Sequence, residues 1–468
     1  MAIYHLSATI ISRGRGQSVV AAAAYRAGVL LRDERYGITH NHTSRAPAEY
    51  SEIIAPGGAP TWVSDRGTLW NQVEDAERRR DSQLARVIEA ALPVELSSSA
   101  CIALVRDYVV REFIAEGMIA DVNIRRDNPM NPVAHIMLSL RELSADRFGA
   151  KQRRWNGKAT LLGWRAAWAA TVNEHLARAG HDVRIDHRTL EAQDIELAPG
   201  RRLGFGRPAL ERVAEQRRIA AENGAVIMED PGVLLRALTH QRATFTLEHL
   251  ADFLRSRVSP DQFDTAFSAV CGCDELIALK PDGTVARFTS KDMVDAAKSL
   301  KQRIGTLVAR RGHGVHANCD ERSAARSLLA GDQQRAFHDL VADADVTAIA
   351  IPQSARRPVL DAARDAWTAS DWHVVDSRSL LPDALSKDCV LVVEGAELLG
   401  LKELERLASI AERARAKLVL IAAAERFEAM RSESAFHSVW RDIGHPGVIG
   451  AGAILGSPTN TLTEGISQ

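Results

Sequence analysis

The period of the apolar positions changes several times along the chain. Residues 2–10 alternate, with Ile3, His5 and Ser7 on one face and Tyr4, Leu6 and Ala8 on the other, as in a strand. A Gly14-Arg15-Gly16 turn follows, and Ser18 is placed to cap a helix containing the alanines 21–24 and Tyr25. Over 70–91 the pattern predicts one long charged helix, ended by Leu92-Pro93; a second helix covers 97–116, with Gly117 as its stop. Strands are expected at 119–125 and 134–141, joined by the turn-rich Asp127-Asn128-Pro129-Met130-Asn131-Pro132. An amphipathic helix over 161–179 and a short extended piece at 183–185 complete this part.

Around 195–207 the texture becomes that of a linker, Pro199-Gly200-Arg201-Arg202 and Gly204-Phe205-Gly206-Arg207-Pro208. Residues 208–312 read as short helices with one hairpin, turned at Pro281-Asp282-Gly283. From about 325 helices alternate with continuous apolar runs at 346–351, 390–393 and 418–422, which suits a buried parallel sheet. The expected domains are 1–200, 208–320 and 325–445, with a Gly/Ser/Thr-rich tail over 446–468.

Composition narrows the function less than the pattern does. A chain of 468 residues with 46% hydrophobic residues can build two or more real cores. A formal net charge of −1 leaves any nucleic-acid surface to local clusters: Arg78 to Arg80, Lys151 with Arg153, Arg154 and Lys158, and Arg201-Arg202. Each reads more readily, on its own, as a solvated helix face or loop. The five cysteines have no zinc or disulfide spacing, since only Cys271 and Cys273 are close, and this fits a reducing cytoplasm. No signal peptide and no run approaching the ~20 apolar residues of a spanning helix is evident.

Several separated blocks carry a resemblance. MAIYHLSATIISR, QSVVAAAAYRAG, LWNQVEDAERRRDSQLARVIEAALPVEL, GMIADVNIRRD, NPVAHIMLSLREL, RWNGKATLLGWRAAWAATVNEHL and RIDHRTLEAQ resemble, in order and spacing over about 1–195, the MobA/MobL family of plasmid-mobilisation relaxases. The resemblance implies an α+β relaxase domain, an antiparallel sheet flanked by helices. It implies that Tyr25 is a nucleophile acting on single-stranded DNA at a transfer origin, with other conjugation proteins as further partners. The phenolate attacks a phosphodiester, keeps the 5′ phosphate, and releases a 3′ hydroxyl. A phenol with a pKa of about 10 needs a cation beside that phosphate. The family supplies a divalent metal, Mg or Mn, held by histidines in a His-x-Asp block and a Pro-His-x-His block.

Here the chain departs from the family. The second block reads Pro132-Val133-Ala134-His135, and the first has Arg125 in place of histidine, with Asp127 retained. Valine has no donor atom, and an arginine cannot ligate and repels a divalent cation. The remaining candidate ligands are His135 and Asp127. Either Arg125 replaces the metal and touches DNA as a fixed cation, or the site is dead and the domain only binds DNA. Weaker candidates are Glu74, Glu77 and Glu89, His5 on the first strand, His40 and His42, and His187; Trp155, Trp164 and Trp168 either stack on bases or pack in the core.

Residues 209–445 resemble the start of the RecD-like helicase that follows the nickase in Ti-type transfer relaxases. Gln334 fits the adenine-reading glutamine. The phosphate-loop stretch, Ala350-Ile351-Pro352-Gln353-Ser354-Ala355-Arg356-Arg357-Pro358, lacks the glycines and lysine that cradle phosphates, and the expected Asp-Glu reads Glu394-Gly395. A degenerate RecA-like domain without ATP chemistry is expected.

Overall fold

The computed structural model describes residues 4–443 except 145–146, 182, 194, 200–208, 280–284, 316–328, 377–384, 386–388 and 425–434. The expected tail over 446–468, the turn at Pro281 to Gly283 and the Arg201-Arg202 pair lie outside the described residues. The chain divides into two compact units, Met1–Arg188 and Thr189–Gln468.

The first unit is built on a five-stranded antiparallel sheet in the order β1-β5-β7-β6-β4. Its strands are β1 (Leu6–Ser12), β4 (Tyr50–Ile54), β5 (Gln83–Ala91), β6 (Ala120–Arg125) and β7 (Val133–Ser139). Two small hairpins, β2 (Leu30–Asp33) with β3 (Ile38–Asn41) and β8 (Arg141–Ser144) with β9 (Arg147–Lys151), stand beside it. Helices cover both faces. On one, Leu6, Ile88, Ala90, Val122, Ile124, Ala134 and Ile136 pack against α3 (Ser98–Val109) and α4 (Lys158–Arg178). On the other, Ile11, Val87, Ile119 and Met137 pack against α1 (Val19–Ala27) and α2 (Arg66–Ala76). Trp155, Trp164 and Trp168 are buried among α3 and α4, so core packing is their role.

The single long helix expected over 70–91 is instead a helix, a turn and a strand. α2 ends at Ala76, and Gln83–Ala91 is the central strand β5. Both faces of β5 are covered, so its burial does not alternate and the period of a half-buried strand is lost. Its residues, Gln-Leu-Ala-Arg-Val-Ile-Glu-Ala-Ala, include good helix formers, and tertiary pairing overrides that local preference. The piece at 183–185 is extended but outside any ladder.

The second unit begins with helices Ala209–Glu229, Gly232–Gln241, Leu247–Arg255 and Phe263–Cys271. A short antiparallel pair follows, β10 (Leu276–Ala278) with β11 (Phe288–Ser290), and then the long helix Lys291–Ala309. Beyond it a four-stranded parallel sheet runs β12-β15-β14-β13, formed by Val346–Ile351, Lys417–Ala423, Cys389–Glu394 and His373–Asp376. Two apolar clusters, one on each side, account for the unbroken hydrophobic runs in its strands. β12 passes into the helix Gln353–Ala369 through Pro352 alone, so no phosphate-cradling loop lies between them. At that end of the sheet Arg364 pairs with Glu394 and Asp376 at 3.8 and 3.9 Å. Among the described residues no helix is long and apolar enough to cross a membrane.

Candidate active site

Tyr25 owes its position to α1. Ser18 caps the helix by accepting a hydrogen bond from the Ala21 N–H, and Val19, Val20, Ala23, Ala24 and Ala27 bury one stripe. Gly28 ends it in the left-handed region at φ 71°, where a β-carbon is strained. Tyr25 lies on the uncovered side of the last turn and is 47% exposed.

The sheet brings the motif residues to the same face. Glu89, His135 and Asn123 are direct cross-strand partners on β5, β7 and β6, and Ser7 and Ser51 extend the row to β1 and β4. Arg125 pairs with Val133 in the next row but one, so the positions of the family's three histidines are neighbours. His5 lies two residues from Ser7 and so shares this face. The helix end meets these rows just after Tyr25. The Arg26 guanidinium is 3.8 Å from the Glu89 carboxylate, and a β-carbon at Gly28 would lie 3.7 Å from Arg125 Nη1.

The remaining candidate ligands are already engaged. His135 Nδ1 is 3.3 Å from Glu89 Oε1, and the imidazole, followed by Arg26, holds the Glu89 carboxyl below its ordinary range against the effect of burial. Asp127 is bound by Arg125 Nη2 and Arg45 Nη2, each at 2.9 Å, and these contacts, that to Arg125 first, lower its pKa. Among the described residues no group of three or more His, Cys, Asp or Glu side chains is arranged to hold a metal ion. The donor set therefore does not fit a divalent cation: Val133 offers nothing, and Arg125 places a charge of the wrong sign where a ligand would be.

Arg125 itself departs from expectation. Its side chain is 3% exposed, with Nη2 donating to the Ala46 carbonyl at 2.8 Å, so it ties the 42–46 loop to the sheet and is turned away from solvent. Arg45, marked by no sequence signal, is a half-buried cation that solvent still reaches here. Its guanidinium lies 4.1 Å from the Tyr25 ring centroid, and its Nη1 donates to the Tyr25 carbonyl at 3.1 Å. His42 meets the same ring edge-on at 5.3 Å between centroids. His40 does not join it and lies 3.7 Å from the buried Asp33.

The other basic candidates sit elsewhere. Lys151 donates to the Gln83 carbonyl and pairs with Glu77, six residues along β5 from Glu89 and thus about 20 Å away. Arg154 pairs with Glu116 at 3.2 Å, while Arg153 and Lys158 are exposed. Arg78, Arg79 and Arg80 are exposed in the turn before β5. Glu74 is a buried structural acid: it binds Arg13 Nη2 at 2.6 Å and accepts from the Val19 N–H. His187 is half-buried beside Asp186, where burial first of all lowers its pKa. Gln334, the expected adenine reader, donates to the Leu329 carbonyl.

The chain is similar to known transfer and mobilization proteins. Residues 17–213 match the model of the MobA/MobL family. The conjugal transfer protein TraA of Rhizobium radiobacter is 30% identical over 95% of this chain and 48% of its own length. The mobilization protein MobL of Acidithiobacillus ferridurans is 35% identical over 45% of this chain and 64% of that protein. A solved structure described as the molecular basis of vancomycin resistance transfer in Staphylococcus aureus has 33% identity over 40% of this chain and all of its own, with a TM-score of 0.39. The chain spans about half the length of the TraA proteins it matches, 48% in each case. Residues 17–213 thus resemble the MobA/MobL family, and the chain as a whole is similar to conjugal transfer and mobilization proteins.

Proposed function

We propose that the first unit is a DNA strand transferase that nicks and rejoins single-stranded DNA at a plasmid transfer origin through Tyr25. The observation that carries this reading is the 47% exposure of Tyr25, on a helix end where Arg26 reaches Glu89 and Gly28 lies close to Arg125. In the reaction the bond from Tyr25 Oη to phosphorus forms as the P–O3′ bond breaks. The phenolic proton is lost, the 3′ oxygen gains one, and the 5′ phosphate stays on the tyrosine. No water is consumed, so attack by the 3′ hydroxyl reverses the step and reseals the strand.

The test is a denaturing gel of the protein incubated with labelled single-stranded DNA from a candidate transfer origin. A covalent adduct is expected with the native chain and none with Tyr25→Phe. A second reading has its own support: His135 and Asp127 are engaged by Glu89, Arg45 and Arg125. On that reading the domain is a binding protein that holds origin DNA for other transfer proteins. It predicts salt-sensitive binding with no adduct under any condition.

For the second unit we propose a degenerate RecA-like scaffold that does not hydrolyse ATP. Its support is the turn at Pro352, which offers no run of backbone N–H groups to a phosphate, and the Arg364–Glu394 pair at the same sheet edge. We place the protein's work in the cytoplasm, where origin DNA is found.

A further inference from the structure

Resting on the reading of Tyr25 as nucleophile, we infer that Arg45 supplies the positive charge at the scissile phosphate, and that strand transfer here proceeds without a divalent cation. A phosphate approaching the phenol needs a cation that is beside the ring, reachable from solvent and already fixed. Three arginines lie on or against the end of the helix that bears Tyr25. Arg125 lies by Gly28 but is sealed, with 3% of its side chain exposed. Arg26 reaches inward, its Nη2 toward Glu89 and its Nη1 to the Ala22 carbonyl. Arg45 alone of the three meets every requirement, with 26% of its side chain exposed.

The Arg45 guanidinium covers the ring that bears the phenol oxygen, which puts its charge on the nucleophile's own side chain. Two N–H groups of Arg45 are spent on the Tyr25 carbonyl and on Asp127. A guanidinium carries five, and those left over suit two phosphate oxygens at once. Both spent bonds are also useful. The carbonyl bond ties the cation to the nucleophile's own residue, and Asp127, fastened from behind by Arg125, keeps it from swinging into solvent. The charge is thus in place before the strand arrives, which is what lets such a group stabilise a transition state. The arginine at the family's histidine position does not touch DNA; it anchors the acid that positions the one that does.

The experiment measures the rate of covalent adduct formation by the full chain on the same labelled single-stranded DNA, with EDTA, with Mg²⁺ and with Mn²⁺. The native rate is expected to be unchanged by EDTA. Arg45→Ala should slow it by about 100-fold or more, the usual effect of removing one preorganised donor, mainly in kcat. Millimolar guanidinium should then restore part of the rate to Arg45→Ala and none to Tyr25→Phe, a response that a folding defect does not give. Arg45→Lys, which keeps the charge and loses the fork, should fall between. An adduct that requires Mg²⁺ or Mn²⁺, or that forms at the native rate in Arg45→Ala, overturns the inference and leaves Tyr25 as nucleophile. No adduct from the native chain under any condition removes both.

Discussion

At the level of single residues, two substitutions of the family pattern change the chemistry more than their number suggests. Val133 removes a donor, while Arg125 brings a guanidinium that takes Asp127 and the Ala46 carbonyl as acceptors. Because Arg125 and Val133 are cross-strand partners and His135 shares their face, the double variant Arg125→His, Val133→His rebuilds three imidazoles on one patch. We expect it to bind Mn²⁺, measured by calorimetry, with adduct formation that EDTA abolishes; a variant that binds no metal shows that the Glu89–His135 pair has closed the site. Tyr25, Arg125, Val133 and His135 were legible in the sequence because motif order names them. Arg45 was not, since it lies in a loop without periodicity, and only the fold carries it over the ring.

Buried charge is where residue identity becomes stability. Burial pushes the Glu77 carboxyl up, but hydrogen bonds from Arg141 and Lys151 outweigh it and leave the group below its ordinary value. A depressed acid contributes stability that is present above the unfolded carboxylate value near 4.5 and is lost as pH falls through the lower folded value. Glu77→Gln should therefore lower stability at pH 7 by about 1–3 kcal/mol. Its deficit should shrink as the pH drops below 4.5, measured by urea unfolding across pH. A deficit independent of pH contradicts this assignment.

Among the elements, α1 and β5 decide whether there is a site. The buried Arg13–Glu74 pair joins the turn before α1 to α2, and the second Glu74 oxygen receives the first N–H of α1. Glu74→Ala strands Arg13 in the interior, and loss of one partner of such a pair costs about 3–5 kcal/mol. A large fall in Tm, with DNA adduct formation at low temperature retained, is the expected result; an unchanged Tm refutes the structural role. β5 is the element the sequence concealed. A strand covered on both faces lacks period-2 alternation, and its alanines, arginine and glutamate read locally as helix. With β5 misplaced, Glu89 could not be seen as the partner of His135. The strands at 119–125 and 134–141, the helix bearing Tyr25 and the parallel strands of the second unit were visible because their apolar runs and caps agree with their final state.

For the molecule as a whole, the two units predict a division of labour. Residues 1–188 contain the sheet, both flanking helix layers and every residue assigned to the Tyr25 site. Produced alone, this segment should unfold cooperatively and form the DNA adduct at a rate close to that of the full chain. Loss of the adduct in the fragment would assign the second unit a part in the reaction. The second unit is expected to show no binding of Mg²⁺–ATP by calorimetry, because its first parallel strand turns into the next helix through Pro352 alone; saturable binding would contradict that account.

The most direct test of the central claim is peptide mapping by mass spectrometry after the full chain has reacted with single-stranded transfer-origin DNA and the DNA has been trimmed by nuclease. We predict a 5′-phosphonucleotide on the peptide containing Tyr25 and on no other, formed in the presence of EDTA. An adduct on another residue, or a protein that binds the strand tightly and is recovered unmodified, contradicts the assignment of Tyr25 as the nucleophile.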